Sequence, residues 1–255
     1  MGLDDFEKLK EQAKTADSLD ELFDYWEQAH VTEHDSKSTF PAGADDEAFA
    51  ASFCLDGISS LGSISPDDKV ANNMKERKAK VLFIQKESNL NDELSIAGYT
   101  HDFWFEKAKN PEDDKKYTRR RYRKRMACVL AQYYGEVWHS NAPVGYMNLN
   151  KRGGGSKTSS AKLKNYVSQY REFIWREIEL IDPEVMFLCG CYDLFKEVFK
   201  EELEASQTLE LVDLYHLSYR GFYRKVRGAE WAKGCPVNCI YNCKKKYIPR
   251  IGEVL

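Results

Sequence analysis

Residues 80–89 read Lys-Val-Leu-Phe-Ile-Gln-Lys-Glu-Ser-Asn. The apolar run Val81 to Ile84 is too short for a helix and shows no polar alternation. Such a run fits a central strand buried on both faces, as parallel sheets require. The polar residues from Gln85 to Asn89 then fall at the carboxyl end of that strand, where open α/β sheets place their ligands.

The same grammar recurs on the C-terminal side. Arg119 to Tyr134 has a helical pattern, and Tyr146 to Leu149 reads as a second strand, ended by the turn Gly153-Gly154-Gly155. Ser159 or Ser160 can cap the next helix. That helix carries Leu163, Tyr166, Val167, Tyr170, Phe173, Ile174 and Ile178 on one stripe and ends before Pro183. Val185 to Cys189 is a third strand, 191–204 a helix, and Leu209 to Tyr215 a fourth strand. Strands alternating with helices predict a three-layer α/β/α fold around a mostly parallel four-stranded sheet.

Upstream, residues 3–29 have apolar positions at helical spacing with a break near Ser18. Residues 31–70 are rich in Ser, Asp, Gly and Pro and read as loops around one short helix at 46–54. The expected organisation is one domain over 1–255. In it a helical and looped extension, 1–77, packs on a core of 78–255.

Composition narrows the function classes. No apolar run approaches the roughly 20 residues of a membrane helix. The charged start, MGLDDFEKLKEQAK, has no secretory pattern, and Phe6 breaks a myristoylation motif. The expected location is cytoplasmic, with its seven cysteines reduced. The net charge of −3 gives no global attraction to nucleic acid, but its distribution is uneven. Residues 115–125, KKYTRRRYRKR, hold eight cations in eleven positions. Such a run is either a solvated helix face or a phosphate-binding surface, and mutual repulsion favours the second.

Three polar segments end three of the strands: Gln85 to Asn89, Asn148 to Arg152, and His216 to Arg220. If the strands share a sheet, a carboxylate, an amide and an imidazole converge on one small polar ligand. The alternative is plain: Glu87 pairs with a lysine, and His216 is a satisfied loop histidine.

This order of segments resembles the uracil-DNA glycosylase superfamily over roughly residues 78–225. Ile84-Gln85-Lys86-Glu87-Ser88 stands where that family has a Gly-x-Asp-Pro or Gly-x-Asn-Pro motif. Tyr146-Met147-Asn148-Leu149-Asn150-Lys151 is similar to its strand ending in Asn. Residues 179–190, ELIDPEVMFLCG, are similar to its helix running into a Pro-x-Val strand, and His216-Leu217-Ser218 to its His-Pro-Ser loop. Gln85, Ser88 and Leu217 depart from the family's Gly, Pro and Pro, and Glu87 from its Asp or Asn.

The resemblance implies a monofunctional DNA glycosylase that flips a modified pyrimidine and hydrolyses its N-glycosidic bond, in DNA repair or antiviral defence. Glu87 would orient water and stabilise the cationic sugar. Asn148 would read the base edge, since one amide offers donor and acceptor. His216 would stabilise charge on the departing base. Asn89, Phe103 and Trp104 are expected to hold the base. Arg119, Arg120, Arg121, Arg123, Lys151, Arg152, Lys157 and Ser218 are expected to hold DNA. Arg220 is the expected wedge, assisted by Phe222 or Tyr223. No cofactor is implied. Cys235, Cys239 and Cys243 read as reduced structural cysteines rather than metal ligands. The alternative function is a catalytically weak DNA-binding protein of the same fold.

Overall fold

The computed structural model describes residues 3–36, 53–54, 56–60, 79–89, 117–134, 143–154, 159–206, 208–222, 226 and 229. Within 34–36, 59–60, 87–89, 117–121 and 123–124, and at Leu3 and Gly154, only the backbone is described.

Among the described residues, twelve elements follow in chain order. They are α1 (Leu3–Lys14), α2 (Leu19–Ser36), β1 (Gly57–Ser60), β2 (Val81–Asn89), α3 (Tyr117–Tyr134) and β3 (Pro143–Gly154). Then come α4 (Ser160–Gln169), α5 (Arg171–Ile181), β4 (Val185–Cys189), α6 (Tyr192–Val198), α7 (Lys200–Ala205) and β5 (Glu210–Leu214).

One mixed sheet has the order β1-β3-β2-β4-β5. Strands β3, β2, β4 and β5 run parallel to their neighbours, and β1 is antiparallel to β3. The sheet therefore has five strands, not four. The extra strand, Gly57-Ile-Ser-Ser, contains one large apolar residue in a segment of turn-forming residues, so no strand period marks it. Its Ile58 is nevertheless buried, and Gly57 pairs with Tyr146. Of the helix expected at 46–54, residues 53 and 54 are not helical, and 46–52 lie outside the described residues.

Alternation along the strands divides the core in two. Leu82, Ile84, Met147, Leu149, Met186 and Leu188 face α1, α2, α4, α5 and α6. Val81, Phe83, Val144, Tyr146, Val185, Phe187 and Cys189 face α3. Phe83 and Phe187 stack there with ring centroids 4.8 Å apart. The N-terminal helices share the first cluster: Trp26 is fully buried and its ring lies 5.5 Å from that of Phe173.

The order places a switch in connection direction at β2. From β2 the chain moves through α3 to β3 on one side, then through α4 and α5 back across to β4 on the other. Crevices at such switch points are the usual ligand sites of open α/β sheets.

Candidate active site at the carboxyl edge of the sheet

Gln85 on β2 and Asn148 on β3 are register partners. Phe83 and Tyr146, two residues earlier, face α3, so Gln85 and Asn148 share that face. Both are 1% exposed. The backbone N–H of Asn148 donates to Asp56 Oδ2 over 2.5 Å, which locks the middle of β3 against the segment leading into β1. The Tyr146 hydroxyl lies 3.5 Å from Asn148 Oδ1.

His216 follows β5 in a turn closed by the Tyr219 N–H to His216 carbonyl bond of 2.9 Å. The Ser218 backbone N–H donates to His216 Nδ1 over 3.1 Å, and Ser218 Oγ lies 2.7 Å from the same nitrogen. An N–H directed at Nδ1 requires a lone pair there. In the neutral ring the proton then sits on Nε2, which becomes a donor. The imidazole meets Tyr122 of α3 edge-on at 6.2 Å. Gln85, Asn148 and His216 thus all lie on the α3 side of the sheet's carboxyl edge.

Gly190 joins β4 to this edge. Its φ of +77° favours glycine, and its N–H donates to Leu214 carbonyl over 2.6 Å. A Cβ at this position would lie 3.5 Å from His216 Cβ and 3.6 Å from Lys86 Cε. The ends of β4 and β5 meet the middle of β2 here. Lys86 lines a cleft of about 220 Å³ with Ser160, Gly190, Cys191, Asp193 and Asp213. Leu163 of this lining belongs to the opposite core cluster, so the cleft opens on the α4 and α6 side. Burial pushes the Cys191 thiol up to about 12, and Cys189 well above the usual thiol range. Burial, with Asp193 adding, also raises the Asp213 carboxyl.

Arg125 of α3 clamps the histidine loop. Its Nη1 donates to the Leu217 carbonyl, and its guanidinium lies 5.0 Å from the Phe222 ring centroid. Leu217 and Phe222 are fully buried. Phe222 is therefore a core anchor and not part of a wedge. Arg220 is exposed between these anchors, beside the stacked pair Tyr215 and Tyr219, whose centroids are 5.2 Å apart. The Ser218 side chain, expected on DNA, instead engages His216.

No protein-family model and no curated protein matches this sequence.

Lys151 and Arg152 overturn the expectation of DNA contact, because both are fully buried. Lys151 Nζ pairs with Asp56 Oδ1 and lies 2.7 Å from Glu177 Oε2. Arg152 Nη2 reaches Glu33 Oε2 at 2.7 Å and the Tyr170 hydroxyl at 3.0 Å. Burial raises the Glu177 carboxyl well above the usual range, with Asp56 adding and Lys151 opposing. Two cations thus meet three carboxyl groups, and the burial of all five makes their mutual pairing the condition for keeping them in a water-free interior.

The remaining expected positions divide by location. Glu87 and Asn89 lie on β2 as register partners of Asn150 and Gly154. Arg119, Arg120, Arg121 and Arg123 lie on the backbone of α3. Side chains at these six positions are outside the described residues, as are Phe103, Trp104, Lys157, Tyr223, Cys235, Cys239 and Cys243. Among the described residues, Cys54, Cys128, Cys189 and Cys191 are buried, and no group of side chains is placed to hold a metal ion. No described helix is long and apolar enough to cross a membrane.

Sequence reasoning missed Arg125 as a clamp, because it sits inside a run of cations that reads as surface. It also missed Gly190, although a glycine directly after a buried strand is a sign of a turned backbone.

Proposed function

We propose that this chain is a monofunctional DNA glycosylase acting on a flipped, modified pyrimidine. The observation that carries the reading is the placement of Asn148 and His216 on one side of the sheet's carboxyl edge, with Nε2 of His216 assigned as donor. The strand order, with its switch at β2, supports it by putting that edge where α/β folds bind small ligands.

The chemistry follows from these groups. The bond between sugar C1′ and the base nitrogen breaks, and its electron pair leaves with the base. The sugar becomes cationic and the base anionic. The Nε2–H of His216 donates to the base oxygen that gains charge, which favours the transition state over the bound substrate. The Asn148 amide meets a neighbouring donor–acceptor pair on the base. Water adds its oxygen to C1′, and Glu87 takes up the proton released. Lys86 lines the cleft on the other side of the sheet, which supports water rather than an amine as nucleophile.

Duplex and single-stranded oligonucleotides carrying uracil, hydroxymethylcytosine or glucosylated hydroxymethylcytosine test this reading. Alkali-sensitive abasic sites are expected from one of them with the native protein, and strongly reduced with His216→Ala. Absence of abasic sites on every substrate, or full activity of His216→Ala, overturns it.

A further inference from the structure

Both polar atoms of the Gln85 side chain, Nε2 and Oε1, are buried without a nitrogen or oxygen partner, and the polar group the amide meets is the weakly bonding Cys189 thiol. A primary amide taken out of water and left unpaired is costly, and native proteins rarely tolerate it without a reason. Gln85 is the middle residue of β2, one position past the last register pair with β4 and so level with the carboxyl end of that strand. Asn148 of β3 is beside it, and Cys189, one residue past the Ile84–Leu188 register pair, flanks it on β4. All three face α3, the side that also carries the His216 ring. The unpaired amide therefore lies among the groups of the candidate site and not in a remote part of the core.

We infer that Gln85 is a specificity-determining residue whose missing partner is a polar substituent on the bound base. This rests on the glycosylase reading and names its substrate class. The argument is a count of hydrogen bonds. Uracil presents one N–H and two carbonyl oxygens. The Asn148 amide meets the N–H and one oxygen, and the His216 Nε2–H meets the other. Nothing remains for Gln85. A pyrimidine with a hydroxymethyl group at C5 carries one further donor and acceptor, which a second amide beside the first can meet. A site built to bond such a group discriminates against the base lacking it, because the site's own polar group is then left unpaired.

The test compares the native protein with Gln85→Met and Gln85→Leu, each melted alone and with millimolar uracil, 5-hydroxymethyluracil or 5-hydroxymethylcytosine as free bases. Without ligand, at least one variant is expected to melt about 2–4 °C higher, because the unpaired amide is gone. A hydroxymethyl base is expected to raise the native melting temperature more than uracil does. In the variants that preference should fall by about tenfold or more in apparent affinity. The inference is overturned if both variants melt lower or fail to fold, which would make Gln85 a structural member. It is equally overturned if uracil stabilises the native protein as well as the hydroxymethyl bases, or if none of the bases does. Cleavage of uracil oligonucleotides without hydroxymethyl preference would sink this inference and keep the glycosylase. Binding of a hydroxymethyl base with no cleavage of any oligonucleotide would do the reverse.

Discussion

The Ser218 backbone N–H donates to His216 Nδ1 over 3.1 Å, and the Ser218 hydroxyl oxygen lies 2.7 Å from the same atom. Residue 218 thus fixes both the direction of the ring and the nitrogen that carries its proton. Ser218→Ala removes the hydroxyl and keeps the N–H. Single-turnover cleavage is expected to fall about tenfold with DNA affinity unchanged. His216→Ala removes the donor itself and should fall about 10²–10³-fold, the usual cost of losing a group that binds developing negative charge. Equal losses in affinity and rate for either variant would contradict a role in the transition state.

Lys151 is held between Asp56 and Glu177 in a region without solvent. Lys151→Met leaves Asp56 buried without its cation, and is expected to cost about 3–5 kcal/mol in denaturant unfolding. Replacing Lys151, Asp56 and Glu177 together by Met, Asn and Gln should recover much of that loss, because no unpaired charge remains. A triple variant as unstable as the single one would show that the pairing is not what holds this region.

Glu177 makes the same region sensitive to pH. Burial raises its folded pKa above the ordinary 4.5, so the folded protein keeps a proton that the unfolded chain loses. Its contribution is fully present below about pH 4.5 and is lost as pH rises towards the raised folded value. Glu177→Gln carries a permanent neutral amide in its place. Relative to the native protein, the variant should therefore gain stability as pH rises above about 4.5, until the raised folded value is passed. Parallel stability curves over that range would show that Glu177 is ionised in the folded state.

Burial sorts which features could be read from sequence. The four parallel strands were legible because Val81–Ile84 and Val185–Cys189 are continuous apolar runs, and a strand covered on both faces leaves that mark. β1 was not, because an edge strand pairing only with β3 needs little apolar surface. Asn148 and His216 were legible as polar residues beside apolar runs, although Asn148 lies within β3 and only His216 follows its strand. Lys151 and Arg152 continue β3 as well, yet they turn inward. Their partners arrive from far away, Asp56 from 95 and Glu33 from 119 residues upstream, and no local pattern reports them. Gln85 looked like loop chemistry until β2 extended to Asn89 and brought its amide inside.

Arg125 couples the basic helix to the histidine loop through the Leu217 carbonyl and the Phe222 ring. Arg125→Gln shortens the side chain and removes the cation above the ring. An unfolding cost of about 1–3 kcal/mol is expected, since the buried carbonyl loses its donor. A loosened loop should also lower single-turnover cleavage about tenfold while leaving the salt dependence of DNA binding as it was. Arg125→Lys restores a charged donor and should recover part of the rate. If Arg125→Gln flattens the salt dependence instead, Arg125 contacts phosphate and the clamp is not its function.

Arg119, Arg120 and Arg121 occupy the first turns of the same helix, in a run where eight of eleven residues are cations. Each cation that neutralises a DNA phosphate releases counterions, so the logarithm of affinity falls with the logarithm of salt by about 0.9 per contact. Changing all three to Glu should weaken binding to every sequence alike and make that slope shallower by about 3. The buried pair provides the contrast. Lys151 and Arg152 are cations too, but with no exposure they release no counterions. Lys151→Met should lower stability and leave the slope of the folded protein unchanged. Measuring both variants across a salt series at a temperature where each is folded separates surface charge from core charge. An unchanged slope in the triple Glu variant would mean that the run is only a solvated face and would remove the sequence's strongest argument for a DNA partner.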